Sequence, residues 1–170
     1  MEFVTLVDEQ DREVGTAEKM KAHREALLHR ACSVLLINAD GEMLLQQRNP
    51  AKYHSGGLWS NTCCTHPRPG EPTVDAAARR LREEMGFDAD LHHALSFIYR
   101  AEFDDGLVEH EYDHVFVGRS DEAPRPNADE VVDWRWASAE EVARDLDRDP
   151  SRYSPWFPLL FERLREAGLL

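Results

Sequence analysis

Apolar residues along this chain fall into short runs separated by turn-forming residues, and the period of each run predicts an element. Residues 31–37 form a continuous apolar stretch closed by Asn38-Ala39-Asp40-Gly41, and residues 43–47 follow as the return strand of a predicted hairpin. Residues 49–57, rich in Gly, Pro and Ser, read as a loop. Val74, Ala77, Ala78, Leu81 and Met85 then recur at helical spacing, which predicts a helix over residues 73–85 with Thr73 as N-cap and Gly86 as its stop. Two strands, 95–103 and 107–117, flank the turn Asp104-Asp105-Gly106, and residues 134–137 read as a short late strand. Ser138 opens a helix to about residue 146. Ser154-Pro155 opens another, with serine as N-cap and proline at the first helical position. Strands interleaved with helices predict an α/β fold, a mixed sheet covered on both faces.

Composition narrows the setting. The 170 residues suit one domain, 1–170, with a core of its own. The net charge of −13, from 33 acidic against 20 basic residues, disfavours nucleic acid as a partner. Acidic stretches such as 145–149 read as solvated surface, compatible with a high-salt cytoplasm or with an ordinary acidic protein. No window is apolar enough for a membrane helix, and the N-terminus lacks the pattern of a signal peptide, so the expectation is a cytoplasmic protein off the membrane. The three cysteines, Cys32, Cys63 and Cys64, are an odd number and argue against a disulfide framework. Cys32 and Cys63 read as small core residues.

The strongest local motif lies around the predicted helix. Glu71, Arg79, Leu81, Glu83, Glu84, Gly86 and Phe87 stand at the spacing of the Nudix box, so the chain resembles Nudix proteins and their α-β-α sandwich around a mixed β-sheet. Arg79 and Glu83 are four apart on a helix and can pair, as can Arg80 and Glu84. Two departures matter. Thr65 stands where the box begins with glycine, and Arg80 stands where it carries a glutamate. A cation there repels a metal and attracts a phosphate, which makes hydrolysis less expected.

A second constellation carries a narrower resemblance. Asn61-Thr62-Cys63-Cys64-Thr65-His66-Pro67, the pair His23 and His29, Gly106-Leu107-Val108-Glu109-His110-Glu111 and Ser154-Pro155-Trp156 resemble type 1 isopentenyl diphosphate isomerases, over about residues 7–164. The resemblance implies a metal site of His23, His29, His66, Glu109 and Glu111. The geometry is compatible. His23 and His29 are six apart and need a break between them, whereas Glu109 and Glu111 share one side of a strand. Cys64 and His66 have the same relation if that stretch is extended. Three imidazoles with two carboxylates suit Mn²⁺ or Mg²⁺ and can take Zn²⁺. His54, His92, His93, His110 and His114 read as structural or surface residues.

The resemblance also implies roles. Cys64 and Glu111 are the acid–base pair on opposite sides of an isoprenyl group, and Tyr99 orients Glu111. Trp156 faces the tertiary carbocation. Lys19, Arg48, Lys52 and Arg80 hold the diphosphate. A Mg²⁺ bridges the diphosphate to Glu84, with the Cys64 main-chain carbonyl as a further oxygen. The expected activity is conversion of isopentenyl diphosphate to dimethylallyl diphosphate, in isoprenoid biosynthesis. The expected partner is this small isoprenyl diphosphate alone, acting on a monomer or weak homo-oligomer. Two rivals stand beside it. A Nudix hydrolase of a nucleoside diphosphate derivative is opposed by Arg80 and by the Cys64–Glu111 pair. An inactive Nudix binding module is expected to have lost Cys64 or Glu111.

Overall fold

A computed structural model describes residues 1–170. The chain opens with a hairpin, β1 (Phe3–Val7) and β2 (Glu13–Glu18), and a short helix, α1 (Lys19–Arg24). Then come β3 (His29–Ile37), β4 (Met43–Arg48), β5 (Trp59–Ser60), β6 (Cys63–Thr65) and α2 (Thr73–Met85). The long hairpin β7 (Leu91–Glu102) and β8 (Val108–Arg119) follows, then β9 (Val131–Ala137), α3 (Ala139–Arg148) and α4 (Phe157–Glu166). No helix is long and apolar enough to cross a membrane.

The centre of the sheet is the parallel pair β3–β8, in register from His29↔Glu111 to Ile37↔Arg119. β6 runs antiparallel to β3 on its other side, with Ser33 opposite Cys64. β3 is buried on both faces, which explains its near-continuous apolar sequence. Its side chains alternate between two cores. Cys32, Val34 and Leu36 pack with Leu81 and Met85 of α2, while Leu35 packs with Phe157, Leu160 and Leu164 of α4. The mixed sheet thus lies between α2 and the C-terminal helices.

Several local expectations are corrected. The hairpin β1–β2 has no forecast in the apolar pattern, because β2 is exposed except at Ala17. β3 and β4 pair only at Ile37↔Met43 beside their turn, since β3 is taken up by β6 and β8. The N-cap position of α2 is Pro72, not Thr73, and no side chain caps it. Val74 is exposed, whereas Ala76 and Glu84 are buried. Ser154 does not cap α4, which begins three residues later, and its hydroxyl instead meets that of Ser60 at 2.9 Å. Asp145 is engaged by Arg135 and Tyr153 rather than solvated. Gly86 does end α2 in the left-handed conformation, and Ser138 caps α3 with a capping box.

Candidate active site

β8 alternates strictly at its start. Glu109, Glu111 and Asp113 all face inward and are buried, so one strand face delivers three carboxylates to the interior. The N-terminal segment brings the imidazoles. Glu18 caps α1 through the amides of Met20 and Lys21, and the helix stops after six residues. Ala26, with φ of 54°, turns the chain so that β3 starts at His29. His23 and His29 therefore meet across the break, their ring centres 5.0 Å apart. His66, just past β6, lies 5.4 Å from His23 and 5.0 Å from His29.

The tautomers of His23 and His29 are set by their surroundings. Nδ1 of His23 donates to the Lys19 carbonyl at 2.7 Å, and Nδ1 of His29 to that of Leu27 at 2.8 Å. A carbonyl can only accept, so Nε2 of both rings presents a bare lone pair. Both Nε2 atoms are buried and without a hydrogen-bond partner. Burial and the neighbouring His66 depress their basicity, to about 4 for His23 and about 3 for His29. His66 falls to about 4 through burial and the charge of Lys19. His66 differs, since its Nε2 lies 3.1 Å from Glu111 Oε1. Three neutral imidazoles beside a carboxylate are a donor set suited to a divalent ion. The ligand atoms of His23, His29, His66 and Glu111 lie within 4.8 Å of one another, and a second such group joins His23, His54 and Glu109.

The two glutamates are tied by Tyr99, whose hydroxyl lies 2.5 Å from Glu109 Oε2 and 2.9 Å from Glu111 Oε2. Burial and the charge of Glu109 push the Glu111 carboxyl well above the usual range. Glu109 is the member that stays ionised: burial opposes this, but the adjoining His54 imidazole and the Tyr99 hydroxyl outweigh it.

Cys64 lines the same cavity. Its sulfur is 3.2 Å from Asn61 Nδ2 and 3.5 Å from Ser33 Oγ, and Ser33 donates to Asp113 at 2.7 Å. Burial pushes the thiol up to about 12, with the charge of Asp113 adding to it. Cys63 turns away into the core under α2, as two-residue parity requires. Trp156 is buried, and its indole N–H donates to Asn61 Oδ1 at 3.0 Å. Asn61 thus holds both the thiol and the indole, a role that the motif containing it did not reveal.

Cys64, Glu109, Glu111, Tyr99 and Trp156 line one cavity of about 1060 Å³. Lys19, Arg48, Lys52 and Arg80 line it as well. Arg48 is buried and stands 5.1 Å over the Trp156 ring. Lys19 pairs with Glu2 at 2.7 Å, and Lys52 with Glu130. Arg80 contacts Glu84 at 2.7 Å and Glu130 at 2.9 Å. Glu84 itself sits behind the cavity wall. It is buried, bonded by Gln46 at 2.7 Å as well as by Arg80, and burial raises its carboxyl.

His54 is a correction. Rather than a bystander, it is buried in the site, with Nε2 2.6 Å from Glu109 Oε1. The sequence holds little signal for it beyond its place two residues after Lys52 in an irregular loop. His110 and His114 are held by Ala26 and Asp11, away from the donor cluster.

Comparison with known proteins adds the family. The NUDIX domain model matches residues 27–160. The chain is 52% identical over 161 residues to isopentenyl-diphosphate Delta-isomerase 2 of Aromatoleum aromaticum, covering 95% of this chain and 85% of that protein. It is 49% identical over 168 residues to the isopentenyl-diphosphate Delta-isomerase of Burkholderia multivorans, covering 99% and 94%. Among solved structures, DR0079 from Deinococcus radiodurans superposes with a TM-score of 0.80 at 22% identity, covering 98% of this chain and 99% of that one. The MutT protein from Methanosarcina mazei gives a TM-score of 0.68 at 21% identity, covering 83% and 95%. The structural likenesses speak to the fold alone. The match to the domain, and the identity to relatives over nearly the full chain, show that this chain belongs to the Nudix family and, within it, to the isopentenyl-diphosphate Delta-isomerases.

Proposed function

We propose that this protein converts isopentenyl diphosphate into dimethylallyl diphosphate, with Cys64 and Glu111 as the proton-transferring pair. The observation that carries the reading is that a thiol and a carboxyl from β6 and β8 line one cavity whose wall includes the Trp156 indole. One of the pair adds a proton to the terminal CH₂ of the alkene, and the other removes a proton from the carbon next to the CH₂O group. The double bond moves by one position, and no proton is gained or lost overall. Between the steps the charge rests on a tertiary carbon. An indole face attracts that cation by roughly 2 kcal/mol or more when desolvated, without trapping it. Tyr99 holds the Glu111 carboxyl in place, and Asn61 holds the thiol and the indole in fixed relation.

We assign a divalent ion, Mn²⁺, Mg²⁺ or Zn²⁺, to His23, His29, His66, Glu109 and Glu111. When bound, its charge makes the Glu111 carboxyl a stronger acid. The diphosphate falls to Lys19, Arg48, Lys52 and Arg80. We assign the Mg²⁺ that accompanies it to Glu84 and the Cys64 main-chain carbonyl, a role that requires Arg80 to move from Glu84 onto the phosphates. The site draws on elements from α1 to the start of α4, so we read residues 1–170 as one catalytic unit.

The pairing within α2 speaks against the hydrolase reading. Glu71 and Glu83 are held by Arg79, and Glu84 by Arg80, which leaves no free glutamate row. Incubation with isopentenyl diphosphate and Mg²⁺ tests the proposal. Dimethylallyl diphosphate without released orthophosphate is expected, whereas release of orthophosphate at comparable rate refutes it.

A further inference from the structure

We infer that His54 is a fourth imidazole donor to the divalent ion held by the histidine–glutamate cluster, an inference that rests on the metal site proposed above. Its Nε2 atom is buried and lacks a hydrogen-bond partner, as are those of His23 and His29. A buried ring nitrogen left bare is costly unless something binds it. Glu109 Oε1 is near, at 2.6 Å, in a contact that leaves Nε2 without a directed hydrogen bond. The other oxygen of Glu109 is engaged by Tyr99. In the tautomer whose Nδ1 donates to Ser55 Oγ, Oε1 and Nε2 stand side by side, both with lone pairs free. Two donors at right angles on one ion, with bonds of about 2.1 Å, stand roughly 3 Å apart, close to the spacing seen.

The ring is also held in place. It stacks on Phe103 at 4.3 Å with an interplanar angle of 9°, and packs edge-on against Tyr53 at 4.2 Å. Nδ1 lies 3.2 Å from Ser55 Oγ, and the His54 carbonyl accepts from Arg48 Nη2 at 3.1 Å. The nitrogen that faces the cluster is thus fixed by packing on one side and by polar contacts on the other. The ligand atoms of His23, His54 and Glu109 lie within 4.8 Å of one another, in a group that shares His23 with that of His29, His66 and Glu111, so one ion draws the two groups together around His23.

Four imidazoles and two carboxylates fill six positions. A nitrogen-rich set of this kind favours Zn²⁺ or Mn²⁺ over Mg²⁺, which prefers oxygen. The arrangement also connects the metal cluster to the substrate end of the cavity, because the loop that carries His54 is bonded to Arg48.

The test is nuclear magnetic resonance of the full chain loaded with ¹¹³Cd²⁺ and labelled with ¹⁵N-histidine. Each ligating ring shows a cadmium–nitrogen coupling on its bonded nitrogen. Four coupled rings are expected in the unsubstituted protein and three in His54→Gln, with the lost signal assigning His54. The same variant is expected to bind Zn²⁺ at least tenfold more weakly by competition with a chelator, with an unchanged circular dichroism spectrum. Three coupled rings in the unsubstituted protein, with His54 uncoupled, overturn the inference and leave the five-residue site standing. No coupled ring at all overturns the metal site itself. If His54→Gln does not fold, the ring count in the unsubstituted protein still decides, with assignment by through-bond correlation.

Discussion

Two carboxylate-bearing surfaces lie close together in this protein, one on α2 and one on β8, and they are arranged in opposite ways. On and just before α2, arginines of the helix engage the glutamates: Arg79 holds Glu71 and Glu83, and Arg80 holds Glu84. On β8, no arginine or lysine pairs with Glu109 or Glu111, whose neighbours are the Tyr99 hydroxyl and the imidazoles of His29, His54 and His66. A guanidinium supplies a carboxylate's countercharge from within the protein, whereas imidazole lone pairs invite a cation from outside. The contiguous motif on α2 thus builds the fold and, on the proposed reading, supplies Arg80 toward the phosphates. The chemistry proposed here rests on scattered residues that meet over β8.

Substitutions on the two surfaces are expected to differ most in turnover. Cys64→Ala and Glu111→Gln are each expected to lower turnover by roughly 10²–10⁴-fold, the usual contribution of an acid–base group. Glu83→Gln on α2 and Cys63→Ala in the core are expected to stay within a few-fold of the unsubstituted enzyme. Steady-state kinetics of all four decides, and equal loss at Cys63 and Cys64 means the wrong thiol was assigned. Next in size is metal affinity. His29→Ala removes a donor and is expected to weaken Zn²⁺ binding by about 100-fold or more, with Glu83→Gln unchanged, measured by competition with a chelator.

Arg80→Glu sharpens the contrast from the other side, since it restores the glutamate of the hydrolase box. A like charge near the phosphates costs at most about 4 kcal/mol at 4 Å and an effective dielectric of 20. Solvent reaches Arg80, so a rise in KM of about 10–100-fold is expected, with no orthophosphate release. Unchanged kinetics would show that Arg80 serves only α2. The thiol offers a smaller effect. With its pKa pushed up to about 12 by burial, Cys64 is protonated throughout the neutral range. Its alkylation by iodoacetamide is expected to climb about tenfold per pH unit from pH 7 to 9 without a plateau, followed by mass spectrometry. A plateau near neutrality contradicts the protonated thiol. Smallest of all, Glu71→Gln is expected to cost about 1 kcal/mol or less in urea unfolding, as for a partly exposed pair, while activity holds.

The contrast also explains what the sequence makes legible. α2 is readable because its period, its arginine–glutamate spacing and its stop at Gly86 are all local. The same-face placement of Glu109 and Glu111, and the turning away of Cys63, follow from strand parity alone. The hairpin β1–β2 escapes because an edge strand with one buried residue has no apolar period. The parallel pairing of β3 with β8 escapes because partners some 80 residues apart leave no local trace. Within the site, the resemblance named His23 and His29, and their proximity depends on a left-handed turn at Ala26, which no glycine or asparagine announces. Asn61 lay inside the recognised motif, yet its two-sided hold on Cys64 and Trp156 is a matter of tertiary geometry. His54 is the clearest loss, since an irregular loop has no period to say where a ring points.

The most direct test of proton transfer by Cys64 and Glu111 is the reaction run in D₂O with isopentenyl diphosphate and Mg²⁺, followed by ²H and ¹³C nuclear magnetic resonance. The expected result is dimethylallyl diphosphate carrying solvent deuterium in a methyl group, with incorporation lost in both Cys64→Ala and Glu111→Gln and kept in Glu83→Gln. Product free of deuterium, or incorporation undiminished in either of the first two variants, would contradict it.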